Sequence, residues 1–211
     1  MEVKQFGTFL NIDLQINMAN GQVTRGSGIL EHFLSKKRAQ KANYLIPNRY
    51  RTGRILDVGC GFYPYFLTKT EFKDKYGIDP SLSNINIDGI KLIKSNISQK
   101  PIPFKENFFD AITMLAVFEH IDQEKIPLVL NEIYRILKKN GIFIITTPPP
   151  WSDKLLHQMS KFNLISEEEI HDHKSHHSRK TIIDMVQNTG FKNIKSGYFE
   201  LGFNMWFKAE K

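Results

Sequence analysis

The chain has 211 residues, of which 41% are hydrophobic and 24% are charged, the composition of an ordinary globular protein. This length suits one domain with a full-sized core, and no apolar run approaches the roughly 18 residues that a membrane-spanning helix needs. The single cysteine, Cys60, excludes an internal disulfide framework and, with a first segment that lacks the apolar run of a secretory signal, leads us to expect a cytoplasmic protein.

The net charge of +7 is concentrated in the first quarter of the chain. Residues 25–54 contain eight lysines and arginines against one acid, Glu31, so the remainder is close to neutral. Two interpretations stay open at this point. The basic residues form a solvated helix face, or they form a patch that attracts an anionic substrate, a nucleic acid or a membrane surface.

The first fifty residues predict a hairpin followed by a helix. Apolar and polar residues alternate from Leu10 to Met18, which is typical of a half-buried strand, and Asn20-Gly21 is a strong turn signal. From Ser27 to Ile46 the apolar residues follow helical spacing, and Pro47 closes the predicted helix.

Predicted strands and helices alternate along the rest of the chain, as in a parallel α/β sheet. Only a short turn at Gly202 separates the last two predicted strands, whereas parallel neighbours need a crossover of about a dozen residues or more. We therefore predict a doubly wound, seven-stranded, mostly parallel sheet whose last strand is antiparallel. The predicted strands are Arg54–Val58, Lys75–Ile78, Lys91–Lys94, Ala111–Met114, Ile142–Thr146, Phe191–Phe199 and Asn204–Lys211, and the predicted helices are Pro127–Lys139 and Thr181–Thr189.

The segment RILDVGCGF, residues 54–62, carries the strongest functional signal. A buried strand ends at Asp57, and Gly59 and Gly61 bracket a sharp turn at which a ligand can approach the backbone closely. A second acid, Asp79, ends the next strand at about the spacing of an acid that binds ribose hydroxyls. A strand, a glycine turn and a second strand-end acid together predict a cofactor that contains adenosine.

Two features favour S-adenosylmethionine over a nicotinamide dinucleotide. Dinucleotide-binding turns have a third glycine where the pyrophosphate meets the helix, and here Phe62-Tyr63-Pro64 occupies that place. The carboxylate of Asp57 would repel a pyrophosphate, but it suits the ammonium and sulfonium groups of S-adenosylmethionine.

With these segments in this order, the chain resembles the class I S-adenosylmethionine-dependent methyltransferases, and most of all their small-molecule branch. DVGCGF is similar to the family's first motif, and the runs SNISQKPIPFKENFFDAITMLAVFEHI and NEIYRILKKNGIFIITTP are similar to its later segments. The resemblance covers about residues 28–210. It implies a Rossmann-like methyltransferase fold, S-adenosyl-L-methionine as the cofactor and methyl transfer to a small-molecule acceptor.

The resemblance also implies one methyltransferase domain over residues 1–211. Residues 1–50 would supply the N-terminal hairpin and cap helix, residues 51–211 the cofactor-binding core, and residues 148–178 an insertion near the acceptor. We further expect the basic helix at residues 27–46 to cover the mouth of the acceptor pocket as a lid.

By the same resemblance, Asp57, Gly59 and Gly61 frame the methionine part of the cofactor, with Cys60 contributing its backbone, and Asp79 binds the ribose. Tyr63-Pro64 replaces the family's usual small residue after the glycine turn, which implies a reshaped methionine pocket and keeps open a protein that binds the cofactor without turnover.

Three further residues are implied on the adenine and ammonium sides of the cofactor. Asn96 stands where the family often has an aspartate facing the adenine amino group, and it keeps an acceptor oxygen there. Ile97 offers its backbone to the ring, and the carbonyl of Leu115 receives the cofactor's ammonium.

The acceptor side offers weaker signals. Glu119-His120 is either a structural pair or part of the acceptor site, and His120 is the first candidate for a catalytic base if a hydroxyl is methylated. Trp151 is expected to pack at the acceptor pocket. Five of the seven histidines lie between His157 and His177, and we interpret this segment as a polar loop near the acceptor rather than a metal site, so no metal is predicted.

Other acceptors stay open. RNA or protein as the methyl acceptor is supported only by the basic stretch, and a nucleic-acid partner is not favoured. The atom that is methylated and the oligomeric state are not predicted.

Overall fold

The computed structural model describes residues 29–152 and 177–211, and the predicted N-terminal hairpin lies outside this part of the chain. The described residues form four helices and eight strands, joined in places by single 3-10 turns. The helices are α1 (Ile29–Leu45), α2 (Tyr65–Thr68), α3 (Ile126–Ile136) and α4 (Arg179–Asn188). The strands are β1 (Arg54–Val58), β2 (Asp74–Asp79), β3 (Ile85–Ile87), β4 (Ile90–Lys94), β5 (Phe109–Leu115), β6 (Leu137–Thr147), β7 (Lys192–Phe199) and β8 (Asn204–Glu210).

All eight strands belong to one sheet in the order β3-β4-β2-β1-β5-β6-β8-β7. The five strands β4, β2, β1, β5 and β6 pair in parallel, and β8 is inserted antiparallel between β6 and β7. The predicted α/β sheet with an antiparallel last strand is confirmed.

The eighth strand is β3, which the seven-stranded prediction did not include. It pairs antiparallel with β4 at one edge of the sheet through a two-residue turn, Asp88-Gly89. Both turn residues have positive φ, 50° and 77°, as a type I′ turn requires. An Asp-Gly pair between two apolar runs is a hairpin signal, so this strand could have been predicted from the sequence.

Helix α3 is shorter than predicted because the chain turns into β6 at Leu137, which pairs with Phe109 of β5. The lysine after it, Lys138, binds the carboxylate of Asp110 at 2.8 Å and so continues along the sheet instead of the helix.

Each face of the sheet is covered by a separate apolar core. Leu56 and Val58 of β1 pack with α3 and α4, whereas Ile55, one residue earlier, packs with α1 on the opposite face. This alternation follows from the period of two in a strand. Within residues 29–152 and 177–211, no helix is long and apolar enough to cross a membrane.

Helix α1 lies across the sheet with its C-terminal half in the core. Ala39 and Ala42 are at most 2% exposed, whereas Phe33 in the first half is 50% exposed. The 3-10 turn that follows α1 lies at the edge where β6 begins, since the hydroxyl of Tyr50 donates to the Asn140 carbonyl at 2.9 Å. The beginning of α1 lies near the glycine turn at the other edge, since the rings of His32 and Tyr65 are 5.7 Å apart.

Candidate functional site

The candidate site lies at the edge formed by the C-terminal ends of the parallel strands. Strand β1 pairs with β2 on one side and with β5 on the other, so the chain order reverses at β1. In doubly wound sheets the crevice beyond the strand ends at such a reversal is the usual ligand position.

The glycine turn after β1 borders this crevice. Gly59 and Gly61 both have φ of 71°, a conformation that favours glycine. A Cβ atom on Gly59 would lie 2.3 Å from Cγ2 of Val117, so the turn packs directly against the loop after β5. A Cβ atom on Gly61 would meet no described atom within 4 Å, which leaves room for a ligand beside its backbone.

The Asp79 carboxylate orders the turn from the end of β2. Its Oδ2 accepts from the amide of Gly61 at 3.1 Å, and its Oδ1 accepts from the amide and hydroxyl of Ser81 at 2.9 and 2.6 Å. The side chain is buried. Asp79 thus lies at the expected strand end, beside the open space at Gly61.

Asp57 is buried at the same edge. The Thr113 hydroxyl donates to its Oδ1 at 2.7 Å. Burial raises the pKa of the Asp57 carboxyl to about 7, the negative charge of Asp79 adds to the increase, and the hydrogen bond from Thr113 opposes it. Two neighbouring buried carboxyls make a site that a cation would stabilise.

Cys60 lies beneath the turn. Its thiol packs against β2, where a Cβ atom on Gly77 would lie 2.7 Å from the sulfur. Burial raises the pKa of this thiol, so it stays protonated and unreactive near neutrality. The predicted contact of the Cys60 backbone with a cofactor stays a prediction.

The residues predicted on the adenine side follow β4. The Oδ1 of Asn96 accepts from the amide of Ser98 at 3.0 Å, so this side chain caps its own turn with the oxygen assigned to adenine. An amide oxygen has a second lone pair, and both Asn96 and Ile97 are half-buried.

Leu115 ends β5 on the other side of the crevice. The next residue, Ala116, has a φ of 56° and donates its amide to the Thr146 carbonyl at 2.9 Å. The eight residues predicted to bind the cofactor therefore lie on the ends of β1, β2, β4 and β5, at one edge of the sheet.

The residues predicted for the acceptor pocket differ in exposure. Glu119 is 3% exposed and accepts from the Thr147 hydroxyl at 3.0 Å, the contact of a structural residue. Its neighbour His120 is half-buried in a 3-10 turn. Trp151 is 54% exposed and packs on Phe203, with ring centroids 5.2 Å apart.

The histidine-rich segment falls mostly outside the described residues, which include only His177 of its five histidines. The His177 ring packs on Phe118 with centroids 5.8 Å apart. In residues 29–152 and 177–211 there is no group of three or more histidine, cysteine or acidic side chains that could hold a metal ion.

The basic stretch divides into two parts. At the edge where the parallel strands begin, Arg51 donates to the carbonyls of Asn43 and Ile46 at 3.0 and 3.4 Å, and Arg54 lies 3.7 Å from an Asp74 carboxylate oxygen. On α1, Lys41 lies 4.9 Å from the ring centroid of Trp206. Arg51, Arg54 and Lys41 thus make contacts within the protein, whereas Lys36 and Lys37 on α1 are exposed.

The structure also shows a polar cluster that the sequence analysis did not single out. The turn between β7 and β8 lies at the same edge as the glycine turn, and in it Asn204 Nδ2 donates to Glu200 Oε2. The positive charges of Arg38 and Lys37 on α1 act on this carboxylate. Thr146, on the neighbouring strand β6, is fully buried. The predicted turn at Gly202 located this region, but no motif marks its polar residues.

These observations define a class of protein, a doubly wound α/β protein with a glycine turn and two buried carboxyls at the C-terminal edge of its parallel strands. Residues 30–196 match the family model described as "Methyltransferase domain". The chain therefore belongs to the S-adenosylmethionine-dependent methyltransferases, and the predicted resemblance is confirmed. Members of this family use S-adenosyl-L-methionine.

An uncharacterised protein of Methanocaldococcus jannaschii is 33% identical over 142 residues, which is 67% of this chain and 56% of that protein. The chain thus spans just over half the length of this relative.

Two solved structures share the fold. An S-adenosylmethionine-dependent methyltransferase from Archaeoglobus fulgidus has a TM-score of 0.62 and 17% identity, covering 84% of this chain and 94% of that one. Phosphoethanolamine N-methyltransferase 2 of Haemonchus contortus, in complex with S-adenosyl-L-methionine, has a TM-score of 0.61 and 14% identity, covering 83% of this chain and 52% of that one.

Proposed function

We propose that this chain transfers a methyl group from S-adenosyl-L-methionine to a small-molecule acceptor at the crevice between the β1 and β5 loops. The observation that carries this proposal is the pair of buried carboxyls, Asp57 and Asp79, beneath a glycine turn with open space beside Gly61. A positively charged ligand that also has ribose hydroxyls fits both carboxyls.

The cofactor supplies an activated methyl group, and the chain's residues bind and orient it. In this proposal Asp79 accepts from the ribose hydroxyls while it holds the Gly61 amide, and Asp57 faces the positive charge. Asn96 and Ile97 border the adenine, and the Leu115 carbonyl accepts from the ammonium.

Methyl transfer asks for alignment more than for acid–base chemistry. The nucleophilic atom of the acceptor bonds to the methyl carbon as the carbon–sulfur bond breaks, the bonding electron pair stays on sulfur, and the displaced proton leaves to a base or to water. Holding the two reactants in line and excluding water can supply several kcal/mol of the acceleration. For a hydroxyl acceptor, His120 is the proposed base.

A small acceptor is favoured over RNA by the contacts of the basic stretch. Binding of a nucleic acid depends on lysines and arginines that are available to phosphates. Arg51 and Arg54 instead contact the protein's own carbonyl and carboxylate oxygens, at the edge opposite the crevice.

The proposal is tested by supplying the protein with methyl-labelled S-adenosylmethionine and a cell extract separated into small molecules, RNA and protein. We expect label in the small-molecule fraction and none with the Asp79→Ala variant. Label in RNA or protein would show that the acceptor is a macromolecule and not a small molecule. Cofactor binding with no label in any fraction would show a protein that binds the cofactor without methyl transfer.

A further inference from the structure

The Glu200 carboxylate lies in the turn between β7 and β8, at the edge of the sheet that holds the proposed cofactor site. One of its oxygens, Oε2, accepts from Asn204. The other, Oε1, is buried and has no hydrogen-bond partner among residues 29–152 and 177–211. Leaving a buried acceptor unpaired costs about 1–3 kcal/mol, more for a charged group, so such an atom calls for an explanation.

A second buried oxygen without a partner lies on the same face of the sheet. Thr146 is 0% exposed, and its Oγ1 has no hydrogen-bond partner in the described part of the chain. In the sheet it is flanked by Leu115 of β5 and Trp206 of β8, both of which pack on the α1 side. Asn204 lies two residues from Trp206 in the same strand, so its side chain shares that face with Thr146.

The backbone of the β7–β8 turn adopts an unfavourable conformation at Glu200. Glu200 and Leu201 have φ of 53° and 56°, a left-handed backbone conformation that non-glycine residues rarely adopt. The Leu201 side chain is 97% exposed. Two consecutive non-glycine residues in this region store strain of the kind that clusters at ligand sites. The strained turn places the carboxyl inside and the leucine outside, opposite to the preference of both side chains.

The nearest positive charges do not satisfy the carboxylate directly. Arg38 and Lys37 lower the pKa of Glu200 and burial raises it, with burial the larger effect. No ion pair within 4 Å joins Glu200 to either residue in the part of the chain that the structure describes. Glu200 thus has one buried oxygen without a hydrogen-bond donor in the described residues, and the charges of Arg38 and Lys37 act on it without forming an ion pair there.

We infer that Glu200 and Thr146 form the subsite that binds the nucleophile of the acceptor, and that this acceptor is a small amine with an anionic group. A buried carboxylate without an ion pair is matched better by a cationic ammonium than by a neutral hydroxyl, and the Thr146 hydroxyl can accept a second N–H of the same group. The anionic group would lie towards Lys37 and Arg38. This inference rests on the proposed function and makes Glu200 a specificity-determining residue.

The test uses the full chain with S-adenosylmethionine and a matched series of probes. The series consists of two- to four-carbon amines with a terminal carboxylate, a terminal phosphate or no anionic group, and the corresponding alcohols. We expect methylation of the amines, fastest for those with an anionic group. Glu200→Gln should raise KM for the amine at least tenfold with a smaller change in kcat, and Thr146→Val should raise KM in the same direction.

Two controls separate this role from a structural one. Glu71→Gln removes an exposed carboxylate elsewhere on the molecule and should leave KM unchanged. The Kd for S-adenosylhomocysteine should be the same in the wild type, Glu200→Gln and Thr146→Val, which shows that the fold and the cofactor site are intact. Arg38→Ala should reduce the preference for anionic amines.

The inference is overturned if only alcohols are methylated, if a protein that binds the cofactor methylates no amine, or if Glu200→Gln leaves KM for the amine unchanged. If the wild type does not bind the cofactor at all, the proposed function itself fails. The two failures are therefore distinguishable by one calorimetric titration.

Discussion

Asp57 is the residue whose chemistry depends most on its surroundings. As a free side chain its carboxyl would have a pKa near 3.9. Burial raises that pKa to about 7, so a neutral and a charged form coexist near physiological pH. A bound cation favours the charged form, because the two opposite charges attract each other in a site with little water.

We therefore predict that Asp57 makes cofactor binding dependent on pH. Below about pH 7, binding of a cation requires loss of the Asp57 proton, so affinity should rise with pH by up to about tenfold per unit and level off above the pKa. The measurement is calorimetry with S-adenosylmethionine between pH 5.5 and 8.5.

The matched variant is Asp57→Asn, which keeps an oxygen for the Thr113 hydroxyl. The cofactor's own amino group titrates in both proteins, so the difference between the two pH profiles isolates Asp57. Superimposable profiles would show that Asp57 does not face the positive charge.

The same shift has a consequence for stability. The folded-state pKa of Asp57 lies above the unfolded value, so the folded protein holds a proton that the unfolded chain has released. The contribution to stability is full below about pH 4 and is lost as pH rises to about 7, by at most roughly 1.4 kcal/mol per pH unit. Urea unfolding at several pH values should show this slope in the wild type and not in Asp57→Asn.

At this scale the sequence predicts one part of the site and misses another. Asp57, Gly59 and Asp79 follow a motif whose spacing is local, so their positions at one edge were predictable from the strand order. Thr146 and the strand that follows Glu200 belong to segments far apart in the chain that meet only through the pairing of β6 with β8, and no local pattern records that pairing.

In the glycine turn, the energetic cost of a positive φ can be measured separately from the cost of a steric clash. Gly59 and Gly61 have the same φ, but a Cβ atom on Gly59 would collide with Val117 and one on Gly61 would meet open space. Gly61→Ala should cost about 1–2 kcal/mol for the left-handed conformation. Gly59→Ala should cost roughly 1–3 kcal/mol more, because a methyl group is forced into a packed contact.

Denaturant unfolding of both variants checks this order. Gly61→Ala should keep most of its stability and yet weaken cofactor binding, since its methyl group enters the ligand space. Equal stability losses, or wild-type affinity in Gly61→Ala, would contradict this account of the turn.

The Arg51 side chain joins the C-terminal end of α1 to the loop after α2. The Arg51 guanidinium donates to the carbonyls of Asn43 and Ile46 and to the Thr70 hydroxyl, at 3.0, 3.4 and 3.2 Å. We predict that Arg51→Ala lowers the free energy of unfolding by about 2 kcal/mol, because hydrogen bonds to a charged group are the stronger ones.

The control for this prediction is Lys36→Ala, which removes an exposed charge on the same helix and should change the free energy of unfolding by less than about 0.5 kcal/mol. Similar values for the two variants in urea unfolding would mean that the Arg51 contacts do not hold the helix.

The elements themselves were largely predictable, with boundaries as the main error. The strand Arg54–Val58 was located to the residue because it is short, apolar and bounded by Gly53 and Gly59. The end of α3 was misplaced because Lys138 is compatible with a helix, and only its contact with Asp110, a residue distant in sequence, draws it into β6. The spacing of apolar residues along the sequence does not reveal such long-range contacts.

For the whole molecule, topology decides which residues meet. Parallel strands place all their C-terminal ends at one edge, and the reversal of strand order at β1 opens the crevice there. The inserted β8 then brings the β7–β8 turn to the same edge. Asp57, Asp79 and Glu200 therefore lie at the same edge of the sheet although they are encoded in opposite halves of the chain.

The central claim is that the crevice beside Gly61 binds the adenosine cofactor through Asp79. Its most direct test is calorimetric titration of S-adenosylhomocysteine into the wild type and the Asp79→Ala variant. The account predicts one site in the wild type and binding weaker by roughly 1.5–3 kcal/mol in the variant, since hydrogen bonds to a charged group are lost. Wild-type affinity in a folded Asp79→Ala protein, or no binding to the wild type, would contradict it.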